Sequence, residues 1–377
     1  MTWKIPLFRI AWDESDLREV EAVIRSGMSW SSGPAIGEFE AELARYTGTR
    51  YAVTFNSGTS ALHAALAAHG IGSGDEVIVP SFTFVATANA PLFVGATPVF
   101  ADIEEETFGL DPEDVREKIT DQTKAILPIH YAGCPCRIRE LAGIAADHDL
   151  ILIEDAAEAF GADIGGKKVG TFGDSAMLSF CQNKIIATGE GGAMVTDSRD
   201  LAERLKLLRS HGREETGDYF STCGAMDYVA LGYNFRLPTM AAALGLSQLR
   251  RVESLLGERR RAADFYRKGI RKNVPECTVP EGPAGYRHVY QMFPIRCRDR
   301  DTLSAYLEAE GIMTKVYFPP VHLTRFQREV RGDRSHLPVT EKVAGEILSL
   351  PFHPGLPEED AECVMAAMRR CYDGVSR

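Results

Sequence analysis

Short apolar runs alternate with amphipathic segments over the first two-thirds of the chain, and no other feature of the sequence restricts the fold so much. Seven of the runs are predicted strands, at residues 51–55, 76–80, 98–101, 124–129, 150–154, 176–180 and 193–196. Segments with helical periodicity separate most of them, for example at residues 60–69 and 137–148. Strands that alternate with helices are typical of an α/β domain in which helices cover a largely parallel sheet.

The last third of the chain has a different pattern. A long helical stretch is predicted from Pro238 to about Ile270, and a passage rich in Pro and Gly follows. The remainder mixes predicted strands, at residues 289–295 and 314–317, with predicted helices, at residues 301–310, 341–348 and 357–370. We therefore predict a large domain over residues 1–250 and a smaller α/β domain over residues 251–377, with roughly the first 15 residues packed on the smaller one.

Composition excludes several classes of function. The chain has 377 residues, a net charge of −11 and eight cysteines. The negative charge argues against general nucleic-acid binding, although a local positive pocket can still bind a small anion. No apolar run is long enough to span a membrane, and the N-terminus lacks the apolar core of a signal peptide. The cysteines form no CxxC pair, so we expect no metal site and interpret the cysteines as reduced thiols. Reduced thiols, together with the lack of a targeting signal, predict a cytoplasmic enzyme or binding protein.

The first chemical motif is Asn56-Ser57-Gly58-Thr59-Ser60, which follows a predicted strand and opens a predicted helix. Small residues let the backbone approach a ligand closely, and free N–H groups at the start of a helix bind phosphate. The same residue types also form ordinary helix caps. The motif alone therefore leaves a phosphate cradle and a plain capped turn open.

Two further residues follow predicted strands. Asp155 lies at a strand end, where a carboxylate is able to keep a pyridine nitrogen protonated, or simply to cap the next helix. Lys184 lies just beyond another strand, where an amine with a lowered pKa acts as a nucleophile toward an aldehyde. A lone lysine is more often a solvated surface charge. The dense glycines at 189, 191 and 192 indicate a turn that needs positive φ or close backbone contact.

Together, these motifs resemble the DegT/DnrJ/StrS family of PLP-dependent sugar aminotransferases over nearly the whole chain. The matching segments are residues 56–62, 80–87, 154–157, 189–192 and 232–238. The resemblance implies pyridoxal 5′-phosphate as cofactor and the fold of fold-type I transferases. That fold has a three-layer αβα large domain with a mostly parallel seven-stranded sheet, and a smaller α/β C-terminal domain.

The resemblance also implies roles for single residues. Lys184 is similar to the lysine that holds the cofactor as a Schiff base and shuttles protons, and Asp155 to the partner of the pyridine nitrogen. Glu158 corresponds to the contact with the ring hydroxyl, and Phe84 to the aromatic side chain that stacks on the ring. The implied phosphate contacts are Gly58, Thr59, Ser60 and Ser179, with Asn234 donated by the neighbouring subunit of a homodimer.

The chain departs from the family pattern at a few positions. Position 158 is often Gln in the family and is Glu here, so its contact with the ring hydroxyl requires a proton on the carboxyl or on that oxygen. Position 160 is often His and is Phe here. Cys181 is expected to be an inert thiol rather than a reactive one. Because Lys184 is present, transamination is favoured over the dehydration of a branch that has His instead.

The resemblance implies an amino acid, glutamate in the first place, as amino donor and a 3-keto or 4-keto sugar nucleotide as acceptor. Candidate substrate contacts are Trp30, Arg236, Tyr317 and His322, each of which is open to a structural role instead. Arg236 suits a carboxylate or a diphosphate, and equally a subunit interface. Two alternatives remain: amination of a cyclitol ketone or another antibiotic precursor, and a regulatory protein that binds PLP without turnover.

Overall fold

Twelve strands are found in the computed structural model, which describes residues 3–214, 223 and 226–375. They are β1 (Tyr51–Phe55), β2 (Glu76–Pro80), β3 (Thr97–Ala101), β4 (Thr123–Ile126), β5 (Ile151–Asp155), β6 (Asp163–Ile164), β7 (Lys167–Lys168), β8 (Ser175–Ser179), β9 (Gly192–Thr196), β10 (Tyr286–Arg287), β11 (Phe293–Arg296) and β12 (Ile347–Leu350). Seven of them form the main sheet, in the order β1-β9-β8-β5-β4-β2-β3.

The main sheet is parallel except for β9, which pairs antiparallel with β1 and with β8. The predicted mostly parallel seven-stranded sheet is therefore confirmed, with each of its seven predicted strands found. The bounds differ little, although β4 ends at Ile126 rather than at residue 129. Because six strands point the same way, the ends of β1, β2, β5 and β8 meet at one edge of the sheet, and the start of β9 lies at that edge too.

Helices cover both faces of this sheet. The α-helices are α1 (Glu14–Arg25), α2 (Pro34–Thr47), α3 (Gly58–Ala68), α4 (Val85–Phe93), α5 (Pro112–Lys118), α6 (Ile138–Asp147), α7 (Arg199–Arg209), α8 (Thr239–Arg250), α9 (Val252–Asn273), α10 (Arg300–Ala309), α11 (Pro338–Glu346) and α12 (Glu358–Val375).

Strand β9 illustrates the two-sided packing. Met194 packs in a core cluster with residues of α3 and α7, whereas its neighbours Ala193 and Val195 pack in another with residues of α2 and α8. Alternate residues of a strand point to opposite faces, so both faces of the sheet are covered, as a three-layer αβα architecture requires.

The C-terminal part builds a core of its own around the antiparallel pair β11–β12. The start of α9, at Val252 and Leu256, packs with the main sheet, and its end, at Tyr266 and Ile270, packs in the C-terminal core. Ile5 joins that core as well and pairs with Ile312. One helix thus contributes to both cores, and the division at residues 250 and 251 stays a prediction.

Sequence reasoning was wrong about several C-terminal elements. The single helical stretch after Pro238 is two helices, interrupted at Arg251 with φ −116° and ψ 12°. The helix predicted at residues 341–348 ends at Glu346, and β12 begins at Ile347. Residues 314–317 form only an isolated bridge through Lys315, and the strand predicted at 289–295 is β11, which starts later. Short apolar runs have no periodicity that separates a helix end from a buried strand.

In the described part of the chain, no helix combines the length and the apolar composition that crossing a membrane requires. The same residues contain no group of three or more His, Cys, Asp or Glu side chains placed to hold a metal ion.

Candidate active site

Lys184 and two buried carboxylates meet where β5 and β8 end. The Lys184 Nζ lies 3.5 Å from Glu158 Oε1, and the lysine side chain is 15% exposed. Asp155 is the last residue of β5, and it pairs with Met177 of β8 in the sheet. The loop after β8 carries Lys184, so neighbouring strands bring the amine and both carboxylates to one place.

Asp155 is fixed from two sides. The Thr87 hydroxyl donates to Asp155 Oδ2 over 2.7 Å, and the Ala157 N–H donates to Oδ1 over 3.1 Å. Burial raises the pKa of Asp155, although these hydrogen bonds and the charge of Lys184 act in the opposite direction. Among the described residues, no basic side chain forms an ion pair with Asp155. The site therefore holds a buried carboxylate that a cationic ligand group would stabilise.

Glu158 is equally constrained. The Ala132 N–H donates to Oε2 over 2.8 Å, while Oε1 faces Lys184. Burial raises the pKa of Glu158, and the negative charge of Asp155 adds to the rise, against the lowering effects of Lys184 and Ala132.

A second buried polar cluster surrounds Glu154, the residue before Asp155 in β5. Glu154 accepts hydrogen bonds from the N–H groups of Gly170, Phe172 and Gly173, at 2.7 to 2.9 Å, and contacts His130 Nε2 at 3.0 Å. The Cys136 N–H donates to His130 Nδ1, so the proton of the neutral ring lies on Nε2 and points at Glu154. Burial acts to raise the pKa of Glu154, but His130 and the backbone donors lower it overall.

The start of α3 forms a compact cradle against β8 and β9. Ser57 caps the helix, its hydroxyl accepting from the Ser60 N–H over 3.0 Å. A Cβ on Gly192 would lie 2.5 Å from the Gly58 nitrogen, and one on Gly58 would lie 3.4 Å from the Ser179 Cβ. Glycine at 192 is therefore required for the close approach. Residues 58–60 and Ser179 lie together, with the first N–H groups of α3 unbonded within the helix.

Two aromatic side chains flank this arrangement. Phe84 stands at the start of α4, one turn from Thr87, and is 56% exposed although it is apolar. Tyr317 lies beside the loop that carries the lysine, because it lines one small cavity together with Asn183. Burial raises the pKa of Tyr317, and the charge of Glu158 adds to the rise.

The structure adds contacts that sequence reasoning missed. Thr87, the Ala132 N–H and Gln291 hold the site residues, and the Gln291 Nε2 donates to the carbonyl of Asn183, next to the lysine. Thr87 lies in a segment that resembles the family, one helical turn after Phe84 on α4, so the sequence did contain a signal for its position near the site. The other two had none, because a backbone donor and a distant glutamine leave no local pattern.

Other predicted residues lie apart from Lys184. Arg236 and the serines on either side of Trp30 line a cavity of about 440 Å³ that includes neither Lys184 nor Asp155. Asn234 is exposed and bridges to Ser210. The chain does not bring these three residues to its own lysine.

His322 and Cys181 have different surroundings. His322 is 1% exposed, and its ring nitrogens contact Ser81 Oγ at 2.6 Å and Glu341 Oε1 at 3.3 Å. That geometry favours a packing role. Cys181 is half-buried, with its Sγ 3.7 Å from Glu190 Oε1.

An amine beside buried carboxylates, with an anion cradle and an exposed ring nearby, is suited to carbonyl–amine chemistry on a phosphorylated group. Comparisons with known proteins of similar sequence and structure support this interpretation. A protein named GDP-perosamine synthase from Caulobacter vibrioides is 39% identical over 97% of this chain and 98% of its own. A protein named UDP-N-acetyl-3-dehydro-alpha-D-glucosamine 3-aminotransferase, from Acidithiobacillus ferrooxidans, is 40% identical over 89% of this chain and 88% of its own.

The solved structure of DesV from S. venezuelae, in complex with a ketimine intermediate, is similar throughout. It is 36% identical with a TM-score of 0.90, and the match covers 98% of each chain. The family model described as the DegT/DnrJ/EryC1/StrS aminotransferase family matches residues 11–369. With almost the whole sequence matched, this chain belongs to the DegT/DnrJ/EryC1/StrS aminotransferase family.

Proposed function

We propose that this aminotransferase uses pyridoxal phosphate to move an amino group from an amino acid, glutamate in the first place, to a keto sugar linked to a nucleoside diphosphate. The observation that carries the proposal is the meeting of the Lys184 amine with the buried Asp155 and Glu158 carboxylates at the strand ends. An amine condenses with an aldehyde, and a buried carboxylate stabilises a protonated ring nitrogen.

The residues fit the cofactor at three points. Asp155 is a buried carboxylate whose pKa burial raises, and a pyridinium N–H would give it the cationic partner that it lacks among the described residues. The cradle of small residues, in which Gly192 leaves no room for a Cβ, suits a phosphate at the start of α3. The exposed Phe84 offers an apolar face against which an aromatic ring stacks.

Each residue then has a distinct task. Lys184 Nζ would hold the cofactor through its aldehyde carbon, and the free amine would take the proton from the donor's α-carbon. Asp155 would hold a proton on the ring nitrogen, and Glu158 Oε1, 3.5 Å from Nζ, orients the amine. Pyridoxal phosphate, when bound, supplies the electron sink for the charge that the α-carbon develops. In the second half of the reaction, Lys184 returns a proton to the acceptor's former keto carbon.

The acceptor class is supported by the relatives' names and by one side chain. The two relatives are named for a GDP-linked and a UDP-linked sugar, so the diphosphate linkage is common to them while the base differs. Tyr317, beside Asn183 and Glu158, lies within the surroundings of the lysine and is the proposed sugar contact. We assign no substrate contact to the buried His322.

We also propose a homodimer in which Asn234 contacts the cofactor phosphate of the neighbouring subunit, with Trp30 and Arg236 facing the same neighbouring site. Arg236 lines a cavity together with Arg209, Arg213 and the serines on either side of Trp30, and that cavity does not include Lys184. A cavity lined by arginines that lies outside the surroundings of the chain's own lysine fits a shared active site.

The test has two arms. In the first, glutamate alone should convert bound pyridoxal phosphate stoichiometrically to the pyridoxamine form, with an absorbance change and one 2-oxoglutarate per site. In the second, the pyridoxamine form is mixed with a panel of 3-keto and 4-keto sugar nucleotides and with an inosose, and the products are identified by mass. Turnover of the inosose alone would indicate a cyclitol enzyme. Absence of any absorbance change with every amino donor would contradict transamination and favour a regulatory protein.

A further inference from the structure

We propose that Cys277 and Cys297 form a reversible cross-strand disulfide, so that the C-terminal core contains a dithiol that small-molecule disulfides oxidise. The two thiols are far from Lys184 in the fold, and the inference is independent of the proposed function. The observations that carry it are the register of two backbone segments, the burial of both thiols in one core, and a cavity that reaches one of them.

The register places the two cysteines opposite each other. Thr278 and Arg296 form an antiparallel bridge in which each N–H donates to the other's carbonyl over 2.8 Å. Residues next to such a doubly bonded pair face each other without mutual hydrogen bonds, with Cα atoms about 4.5 Å apart. Cys277 and Cys297 occupy that position, and the Cys297 N–H donates instead to Glu346. A disulfide spans Cα separations of about 4.4–6.8 Å, so the bond forms without backbone movement.

The two thiols lie in the same buried core. They are 6% and 3% exposed, and Cys277 Sγ also lies 3.5 Å from the hydroxyl of Tyr372. The interaction with Cys277 lowers the pKa of Cys297, against the effect of burial, and Tyr372 and Arg300 lower it further while Asp299 opposes them. The same interaction raises the pKa of Cys277. Because the thiolate is the nucleophile, Cys297 reacts first.

An oxidant has a route to this sulfur. A cavity of about 620 Å³ reaches Cys297 and is also lined by Thr278, Arg298 and Tyr372. Cavities of this size hold small molecules. By contrast, Cys134 and Cys136 are closest in sequence, but burial raises the pKa of both.

The chemistry is a thiol–disulfide exchange in two steps. The Cys297 thiolate attacks one sulfur of a small disulfide, forming a mixed disulfide and releasing one thiol. Cys277, after losing its proton to solvent, attacks the sulfur of Cys297 and releases the second thiol. The protein loses two protons and two electrons, and the small disulfide is reduced to two thiols.

The experiment uses the full chain, reduced and then incubated with oxidised glutathione before alkylation and peptide mapping by mass spectrometry. We expect a peptide pair linked through Cys277 and Cys297, two hydrogen atoms lighter than the reduced pair, with no glutathione retained on either of them and full reversal by dithiothreitol. Alkylation of both cysteines, or glutathione retained on Cys277 or Cys297 of the wild-type protein, would overturn the proposal.

Variants separate the two thiols. Cys277→Ser should retain glutathione on Cys297, because no second thiol resolves the mixed disulfide, whereas Cys297→Ser should retain none at 277. Cys371→Ser is the matched control, since Cys371 is buried in the same core, and it should oxidise as the wild type does. Oxidation should raise the melting temperature of the wild type and of Cys371→Ser, because the cross-link restricts the unfolded chain, and leave Cys277→Ser unchanged. Loss of the disulfide in Cys371→Ser would overturn the assignment.

Discussion

Glu158 is the residue at which the chain's departure from the pattern of its family bears most directly on chemistry. Its carboxyl is enclosed by charged and titratable groups: Lys184, Asp155, Tyr131 and Tyr317. Lys184 is the one cation among them, and condensation with an aldehyde would make its nitrogen less basic, because an imine is a weaker base than an amine. A weaker positive charge beside the carboxyl favours its protonated form. A protonated Glu158 would be able to donate a hydrogen bond to a ring oxygen, as a glutamine would.

The raised pKa of Glu158 predicts a pH-dependent effect of Glu158→Gln. In the unfolded chain the carboxyl ionises near 4.5, and in the folded chain it ionises at higher pH. The folded state of the wild type therefore loses stability as pH rises through that interval. The variant should gain stability relative to the wild type over the same interval, by about 1.4 kcal/mol for each unit of pKa difference.

Urea unfolding of the cofactor-free proteins between pH 4.5 and neutrality measures this difference, with Glu308→Gln at an exposed position of α10 as the control. The gap between wild type and Glu158→Gln should widen with pH, and the control should show no such trend. A gap that stays constant or narrows would contradict the raised pKa.

Asp155→Asn should lower the rate of the reaction without weakening the binding of the cofactor. The amide keeps the shape of the side chain but loses the charge that holds a proton on the ring nitrogen. We expect kcat for the half reaction with glutamate to fall by roughly 10²-fold or more, a size typical of losing one electrostatic contact to developing charge. Cofactor occupancy, measured by absorbance after gel filtration, should change little. An unchanged kcat would remove Asp155 from its assigned role.

Local patterns in the sequence indicate the candidate residues of the site but not the residues that support them. Asp155, Lys184 and the cradle at residues 58–60 are candidates because strand ends and small residues leave local patterns. Thr87 and Ala132 are not, because their contacts depend on how distant segments meet. For Trp30, Arg236 and Asn234, a role in the site of a neighbouring subunit stays a proposal, because the sequence of one chain has no local pattern that indicates such a role.

Among the elements, β9 is the one whose position its neighbours constrain most closely. It runs antiparallel between β1 and β8, and its first residue, Gly192, pairs with Phe55 on one side and Ser179 on the other. The preceding turn reverses the chain at Gly189, whose φ of +84° is accessible to glycine. The first residue of β9 therefore lies directly against the start of α3, which forms the cradle.

Gly192→Ala should therefore disturb both stability and the cradle. Its Cβ would meet backbone atoms of Ser57 and Gly58 at 2.5 to 2.7 Å, and backbone does not yield as a flexible side chain does. We expect a loss of roughly 1–3 kcal/mol in the free energy of unfolding and weaker binding of pyridoxal phosphate. Gly143→Ala on α6, where a Cβ meets nothing within 4 Å, is the control and should bind the cofactor normally. Equal affinity in the two variants would show that the cradle does not hold the phosphate.

Secondary structure was predicted well in the main sheet and less well in the C-terminal part, for a physical reason. Strands buried on both faces read as continuous apolar runs between turn residues, and all seven were recognised. The break at Arg251 was missed, because helical periodicity continues on both sides of it. Strand β12 was missed because it follows α11 without an intervening turn residue.

At the scale of the whole molecule, the position of Lys184 depends on both cores. Gln291, next to the C-terminal strand β11, donates through its side chain to Asn183 and through its N–H to Ala132. Asn183 precedes Lys184 in the chain, and the Ala132 N–H donates to Glu158. The position of the amine relative to the carboxylate is therefore set partly by the C-terminal part of the chain.

The proposed shared active site predicts complementation between two inactive variants. Lys184→Ala lacks the amine, and Asn234→Ala lacks the contact that we assign to the neighbouring subunit. Mixed subunits should form hybrid dimers in which one site has both native residues, so activity and tight cofactor binding should return. Re-formed wild-type dimers serve as the control for subunit exchange. Failure of the mixture to regain activity, when exchange is shown by mass, would place Asn234 and Lys184 in the same subunit's site.

The central claim is that the amine of Lys184 condenses with pyridoxal phosphate. The direct measurement is reduction of the loaded protein with borohydride, followed by digestion and mass spectrometry. The account predicts a single phosphopyridoxyl group, attached to Lys184, and none in Lys184→Ala. A label on another lysine, or protein that takes up no pyridoxal phosphate at all, would contradict it.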